Sequence, residues 1–145
     1  MSLDLFQLAD DEEISIDFID FSPPINGLYY ATDGLGPAIG IAKRIEHNQS
    51  LLRCVLAEEL GHHFTSVGNH LPKECYNYAD RLMINKIEYK AMKWAAMYLI
   101  PLDKLLNCIQ DGIVSTWELA DHFTVTEEMV LFRLKLPDLN KYVIA

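Results

Sequence analysis

The stretch LAEELGHHFTS, residues 56–66, ends a segment of helical periodicity that begins near residue 49. One stripe of this segment carries Leu51, Val55, Glu58 and His62, so charged side chains occupy positions where an apolar core face is expected. Positions i and i+4 share a helix face, so Glu58 and His62 can bind one metal ion, and Glu59 between them can reach a metal-bound water. The segment therefore predicts a helix over residues 49–66 that carries a metal site.

A second long helix is predicted over residues 79–99, and it ends before Pro101. Its apolar stripe contains a single charged residue, Glu88. An inward carboxylate is costly to bury unless it meets a cation, a cluster of donors or a metal. We infer that Glu88 is the third metal ligand, and the alternative is an ion pair with Lys90, Lys93 or Arg81.

The motif departs from the usual zinc-binding pattern His-Glu-x-x-His at its first position, where this chain has Glu58. Zinc in hydrolytic sites has three protein ligands and a water whose pKa falls to about 7. Two carboxylates and one histidine donate more negative charge than two histidines and one carboxylate, so the bound water should be less acidic and hydrolysis weaker. Such an oxygen-rich ligand set also suits manganese or iron, and the identity of the metal stays open.

The remaining segments predict an α+β fold, in which a small N-terminal β-sheet packs on the motif helix and the C-terminal half is helical. Alternating residues predict strands at residues 14–18, 27–31 and 38–42, with turns at residues 23–24 and 33–37. Capping-box patterns at residues 115–118 and 124–127 predict two short helices, residues 116–122 and 126–134, in a helix-turn-helix-like unit. Its second helix opens with Glu127 and Glu128 rather than with residues that read DNA bases, so we interpret it as a packing unit.

Length and composition indicate one globular domain over residues 1–145, with the sheet and metal-site helices in residues 1–101 and the tail in residues 102–145. The formal net charge of -9 makes nucleic acid an unfavourable partner. Cys54, Cys75 and Cys108 are an odd number without C-x-x-C spacing, which argues against disulfides and a cysteine zinc site. We also find no signal peptide, and the best apolar run, residues 94–102, is too short to span a membrane. A cytoplasmic protein is expected.

The ordered set of motifs resembles the ImmA/IrrE family of metallopeptidases, in particular the compact versions of phages and mobile elements in Gram-positive bacteria. The likeness covers most of the chain and rests on residues 56–65, on IEYKAMKWA at 87–95 with YLIP at 98–101, and on ELADHF at 118–123. In that family a gluzincin-like site holds zinc with two motif histidines and a downstream glutamate, and the motif glutamate activates water. The resemblance implies that Glu58, His62 and Glu88 bind the metal, zinc above all, and that Glu59 is the catalytic base.

Family members of the phage type are understood to cleave a cognate helix-turn-helix repressor and so to relieve repression of their element. The resemblance thus implies a metal-dependent endopeptidase whose substrate is a helix-turn-helix repressor protein. Two alternatives stay open: a catalytically inactive pseudo-peptidase that binds the repressor without cutting it, and a DNA-binding regulator. The sequence does not decide whether catalysis survives the glutamate at position 58, nor which repressor is recognised or in what oligomeric state the protein acts.

Several expectations concern residues around the metal site. Peptide hydrolysis needs an extended substrate, which an edge strand at residues 38–42 could bind, with Gly40 leaving room. Tyr98 lies on the stripe of the third ligand and could stabilise developing negative charge. His63 points about 100° away from its neighbour, which favours a supporting or packing role, and His70 is a reserve ligand. Cys54 is interpreted as a small buried apolar residue.

Overall fold

The computed structural model describes residues 3–32, 34–65 and 78–142, and within them the chain has the predicted α+β fold. A three-stranded sheet precedes the long helices, and short helices form the C-terminal part. In chain order the elements are α1 (Leu3–Asp11), β1 (Ser15–Ile19), β2 (Gly27–Thr32), β3 (Leu35–Ala42), a 3-10 turn (Lys43–Ile45), α2 (Gln49–Thr65), α3 (Tyr78–Leu99), α4 (Leu102–Gln110), α5 (Thr116–Phe123), α6 (Glu127–Leu134) and a second 3-10 turn (Pro137–Leu139). None of the described helices is both long and apolar enough to cross a membrane.

All three predicted strands are present, but their spatial order is β1-β3-β2. Strand β3 pairs in parallel with β1 and antiparallel with β2, so it is the central strand. The expectation that residues 38–42 form a substrate-binding edge is therefore wrong, because both edges of this strand are already hydrogen-bonded. Its composition suits the central position, since Ile39, Ile41 and Ala42 are fully buried.

Gly40 makes room for neighbouring side chains of the sheet rather than for a ligand. A Cβ atom at Gly40 would lie 2.8 Å from Ile19 Cδ1 and 3.0 Å from Phe21 Cζ. The space that we expected for a substrate is thus filled by side chains at and just beyond the end of β1. The predicted turn is also shorter than expected, because residues 36–37 belong to β3 and the left-handed residue is Gly34, at φ 87°.

The N-terminal residues, which carry no clear sequence pattern, form α1. Its apolar face buries Leu5 and Ala9 in the core. The helix ends with Glu13 in the left-handed region at φ 57°, and the amide of Ile14 donates to the carbonyl of Ala9 over 2.8 Å. This ending is the usual way to close a helix with a left-handed residue, although glycine is the more common choice there.

Helices α2 and α3 form the most extensive interface between elements, and both follow the predicted ranges to within one residue. They touch most closely where Gly61 of α2 meets the backbone of Ala91 in α3. Leu60 and Ala95 are fully buried beside this contact. Small residues on both helices thus let the two backbones approach, and this approach positions the side chains of the motif.

The C-terminal helices follow the helix-turn-helix prediction, with one correction at the second cap. Ser115 caps α5 by accepting from the amide of Glu118 (3.3 Å), and Thr126 caps α6 by accepting from the amide of Met129 (3.1 Å). The predicted second capping box, which began at Thr124, is wrong. Thr124 instead closes α5 in the left-handed region at φ 53°, because the tight turn needs a left-handed residue before α6 can start.

A buried arginine fastens the tail to the end of α3. Arg133 of α6 has no exposed surface, and its Nε donates to the carbonyl of Ile100 over 2.7 Å. Its two terminal nitrogens donate to the two carboxylate oxygens of Asp138, each over 2.8 Å. Planar bidentate pairing of this kind satisfies the guanidinium donors that burial would otherwise leave without partners.

Candidate metal centre

The residues of the motif meet one exposed carboxylate of α3. Glu58, Glu59 and His62 are half-buried on α2, and Glu88 lies opposite them on α3. His62 Nε2 is 3.3 Å from Glu88 Oε2, a contact between two residues that are 26 positions apart in sequence. Gly61 precedes His62 directly, and Ala91 follows Glu88 by three residues. The close approach of the backbones at Gly61 and Ala91 therefore lets the side chains of His62 and Glu88 meet. Glu88 lies at the surface, with 58% of its side chain exposed, so the buried, inward position predicted for this carboxylate is wrong, although its contact with His62 is made.

Negative charge is concentrated around Glu58. Burial, followed by the charges of Glu59 and Glu88, raises the pKa of Glu58 from 4.5 to about 7, against the opposing effect of His62. Burial lowers the pKa of His62, but the hydrogen bond to Glu88 and the neighbouring carboxylates outweigh it, so the net shift is upward. Both shifts are upward, and in both the neighbouring carboxylates contribute to the rise.

The donor chemistry of this cluster fits a divalent cation. Carboxylate oxygens and an imidazole nitrogen are ligands for zinc, manganese and iron, and a bound cation would neutralise the charge that raises the pKa of Glu58. As they stand, no three His, Cys, Asp or Glu side chains of the described residues are gathered closely enough to hold a metal. The structure brings His62 and Glu88 together and leaves Glu58 beside them, so the assignment of Glu58, His62 and Glu88 as ligands stays a prediction.

The proposed base, Glu59, lies under the start of β2. A Cβ atom at Gly27 would be 3.2 Å from Glu59 Cγ and 2.6 Å from Val55 Cγ1, so the strand backbone runs directly over α2 at this point. Since β3 is central, β2 is the strand at this edge of the sheet. The edge strand beside the motif is therefore β2, and not residues 38–42 as the sequence suggested.

His63 is held by a network that sequence reasoning did not find. Its Nδ1 is 2.8 Å from the hydroxyl of Tyr29 in β2, and its Nε2 is 3.0 Å from Glu12 Oε1 at the end of α1. The ring also packs edge-on against Phe64, with centroids 5.1 Å apart. These contacts agree with the supporting role predicted for His63. Glu12 and Tyr29 carry no motif, and only the folded chain brings them to this histidine.

The structure also tests the roles predicted for Tyr98 and Cys54. The hydroxyl of Tyr98 donates to Asp4 Oδ2 over 3.3 Å, so its described partner is an acid of α1 rather than a group of the motif. Cys54 is buried, and burial raises the pKa of its thiol despite hydrogen bonds with Thr126, which confirms a small core residue. His70 and Cys75 lie outside the described residues.

The second helix of the tail is used for packing. Met129, Val130 and Arg133 of α6 are buried, and α6 contacts α3. Glu128 at its start is close enough to Glu58 for its charge to act on that carboxyl. An acidic helix start that faces the motif helix does not match the basic, exposed reading helix of a DNA-binding unit. The packing interpretation of this unit therefore agrees with the structure better than the DNA-binding alternative.

The motif helix, the carboxylate of Glu88 beside it and the small N-terminal sheet are the parts that the sequence predicted for the site. The family model of the IrrE N-terminal-like domain matches residues 9–135, which include the sheet, both long helices and the tail. The chain belongs to this family, the ImmA/IrrE metallopeptidases, whose members are typically zinc-dependent. No curated protein and no solved structure gives a significant match.

Proposed function

We propose that this protein is a metal-dependent endopeptidase of the ImmA/IrrE type that cleaves the cognate helix-turn-helix repressor of a prophage or mobile element. The observation that carries the proposal is the contact of 3.3 Å between His62 and Glu88, beside Glu58 and Glu59. This contact supports the proposal because it joins His62 and Glu88, two of the three residues that we propose as metal ligands.

Each residue has a distinct role in the proposed reaction. Glu58, His62 and Glu88 would hold the metal, which supplies Lewis acidity to the scissile carbonyl and to the attacking water when bound. Glu59 accepts a proton from that water and returns it to the leaving amine, as a general base and then a general acid. The half-buried position of Glu59 beneath Gly27 limits its contact with bulk water.

Strand β2 is the surface on which we propose that the substrate binds. An extended peptide can add to a free sheet edge through main-chain hydrogen bonds. The start of β2 lies over Glu59, so a peptide paired with this strand would run past the proposed base. This assignment replaces β3, whose two edges are both paired.

A pseudo-peptidase that binds the repressor without cutting it is the second candidate. The observation in its favour is the carboxylate at the first ligand position, because Glu58, Glu59 and Glu88 together carry more negative charge than a site with two histidines. A carboxyl group with a pKa of about 7 must also lose a proton before it binds a metal, which weakens binding at neutral pH.

Metal content and cleavage separate the two candidates. Protein purified without chelators or a His-tag is analysed by plasma mass spectrometry as wild type, His62→Ala and the control His47→Ala, whose side chain is 94% exposed. We expect near-equimolar metal in the wild type and control and its loss in His62→Ala. The metal-loaded protein is then incubated with purified candidate helix-turn-helix repressors. Cleavage that disappears in Glu59→Gln supports the peptidase, whereas a stable complex with intact repressor supports the pseudo-peptidase.

A further inference from the structure

An open groove runs along α3 next to the candidate metal centre. It has a volume of about 460 Å³ and is lined by the last residue of α2 and one face of α3, namely Thr65, Lys90, Lys93, Trp94, Met97 and Tyr98. Thr65 follows His62 by three residues, and Lys90 follows Glu88 by two. At about 1.5 Å of rise per residue, the groove begins within roughly one helical turn of the contact between His62 and Glu88.

The floor of the groove is an ordered aromatic surface. The ring of Trp94 is stacked between two others, with centroids 4.9 Å from Phe64 and 5.2 Å from Tyr98. The interplanar angles of 18° and 11° show that the three rings are close to parallel. Stacking with two neighbouring rings holds the tryptophan in place while part of it still lines the groove, so the floor is formed before a ligand arrives, and Met97 beside it provides an adaptable apolar wall.

The rim of the groove has the opposite charge to the protein as a whole. The chain has a formal net charge of -9, yet among the described residues the charged side chains that line this groove are those of the exposed lysines Lys90 and Lys93. Among the described residues, no acidic side chain forms a salt bridge with either lysine. A ligand with acidic groups on both sides of an apolar group would complement both the rim and the floor.

We propose that this groove binds a polypeptide segment in which a large apolar side chain is flanked by acidic residues. The apolar side chain rests on Trp94 and Met97, and the flanking carboxylates pair with Lys90 and Lys93. The inference rests on the proposed function in taking the ligand to be the repressor, and it names the class of sequence recognised. The short distance to His62 and Glu88 allows one peptide to occupy the groove and reach the candidate metal centre.

Trp94 itself can report binding. The chain has two tryptophans, and Trp117 is 62% exposed in the tail, so the variant Trp117→Phe leaves Trp94 as the only tryptophan emitter. The full-length variant is titrated with a capped hexapeptide that has a central leucine between glutamates. Two control peptides replace the glutamates with lysines or the leucine with alanine, and mass spectrometry checks that the peptide remains intact.

We expect a saturable change in Trp94 emission with the leucine peptide, and weaker binding of both control peptides. In the Trp117→Phe background, the double change Lys90→Gln and Lys93→Gln should weaken binding about threefold to tenfold, as expected for two exposed ion pairs. The matched change Lys104→Gln, at an exposed lysine of α4, should leave it unchanged. Absence of a saturable change, equal binding of the lysine-flanked peptide, or an unchanged affinity of the double variant would overturn the proposal.

This binding assay is independent of catalysis. If the repressor is cleaved but the peptide does not bind at Trp94, the proposed function stands and the groove assignment fails. If the peptide binds and the repressor stays intact, the groove assignment stands and the peptidase proposal fails.

Discussion

The close contact of Gly61 with α3 makes Gly61→Ala the sharpest test of how the two long helices form the site. A Cβ atom at this position would overlap the carbonyl oxygen of Ala91 and lie 2.9 Å from its carbonyl carbon and 3.0 Å from its Cα. Carbon atoms prefer a separation of about 3.5–4.0 Å, so the helices would have to separate by about 0.6–1 Å. The obstacle is backbone, which cannot move aside by changing rotamer.

The expected cost follows from two opposing effects. Overpacking of a tight interface costs about 1–3 kcal/mol, and an obstacle made of backbone favours the upper end. Alanine is about 1 kcal/mol better than glycine inside a helix. We therefore expect Gly61→Ala to lower the free energy of unfolding by about 1–2 kcal/mol. The same separation would stretch the contact of 3.3 Å between His62 and Glu88 and weaken metal binding.

Urea unfolding followed by circular dichroism measures the first effect, and competition with a chromogenic zinc chelator measures the second. Gly36→Ala is the matched control, because the nearest described atom to its new Cβ would be the carbonyl oxygen of Glu13, at 4.0 Å. The control should be within about 0.5 kcal/mol of wild type. If Gly61→Ala were as stable as the control and bound zinc as tightly as wild type, the proposed role of this helix contact would be refuted.

Three further predictions concern the tail and the motif. Arg133 holds the pKa of Asp138 below its usual 3.8, because its hydrogen bonds to the carboxylate outweigh the effect of burial. The pair therefore stabilises the fold above about pH 4, and this stability is lost as the pH falls through the folded-state pKa of Asp138. In urea unfolding, Asp138→Asn should cost about 3 kcal/mol at pH 7, and this cost should shrink progressively as the pH falls below about 4; a cost independent of pH would contradict the ion pair. Thr124→Gly should stabilise the protein by about 0.5–1 kcal/mol in the same assay, because glycine removes the strain of a left-handed threonine at φ 53°. Glu58→His should bind zinc more tightly, because a carboxyl with a pKa of about 7 must lose a proton before it binds a metal and a neutral imidazole need not. It should also cleave the repressor faster, because less negative charge makes a metal-bound water more acidic, whereas unchanged zinc affinity would argue that residue 58 is not a ligand.

The supporting residues of the site show where sequence reasoning reached its limit. The helical stripe with Glu58 and His62 and the presence of Glu88 on the facing helix could be predicted from spacing, because helix periodicity is a local property. The burial predicted for Glu88 was wrong, since its side chain is 58% exposed. Glu12 and Tyr29, which hold His63, could not be found, since they come from α1 and β2 and meet α2 only in the folded chain. Contacts across 34 and 51 residues leave no periodic pattern.

The sheet shows the same limit. Alternation predicted the strands themselves, but each strand alone is compatible with a central or an edge position. Pairing chose β3 for the centre, with β1 parallel to it and β2 antiparallel. With β3 in the centre, the candidate substrate-binding edge is β2. The space beside Gly40 is occupied by the side chains of Ile19 and Phe21.

The sequence by itself determined the α+β class, the ranges of the two long helices, and the family. Local periodicity and motif spacing can be recognised within a short stretch of sequence, without knowledge of the folded chain. The tertiary structure decided which strand is central, how closely Gly61 approaches Ala91, and that His62 meets Glu88. Those features depend on packing between segments far apart in the chain, where the fit of specific side chains and backbones, rather than any repeating pattern, selects one arrangement.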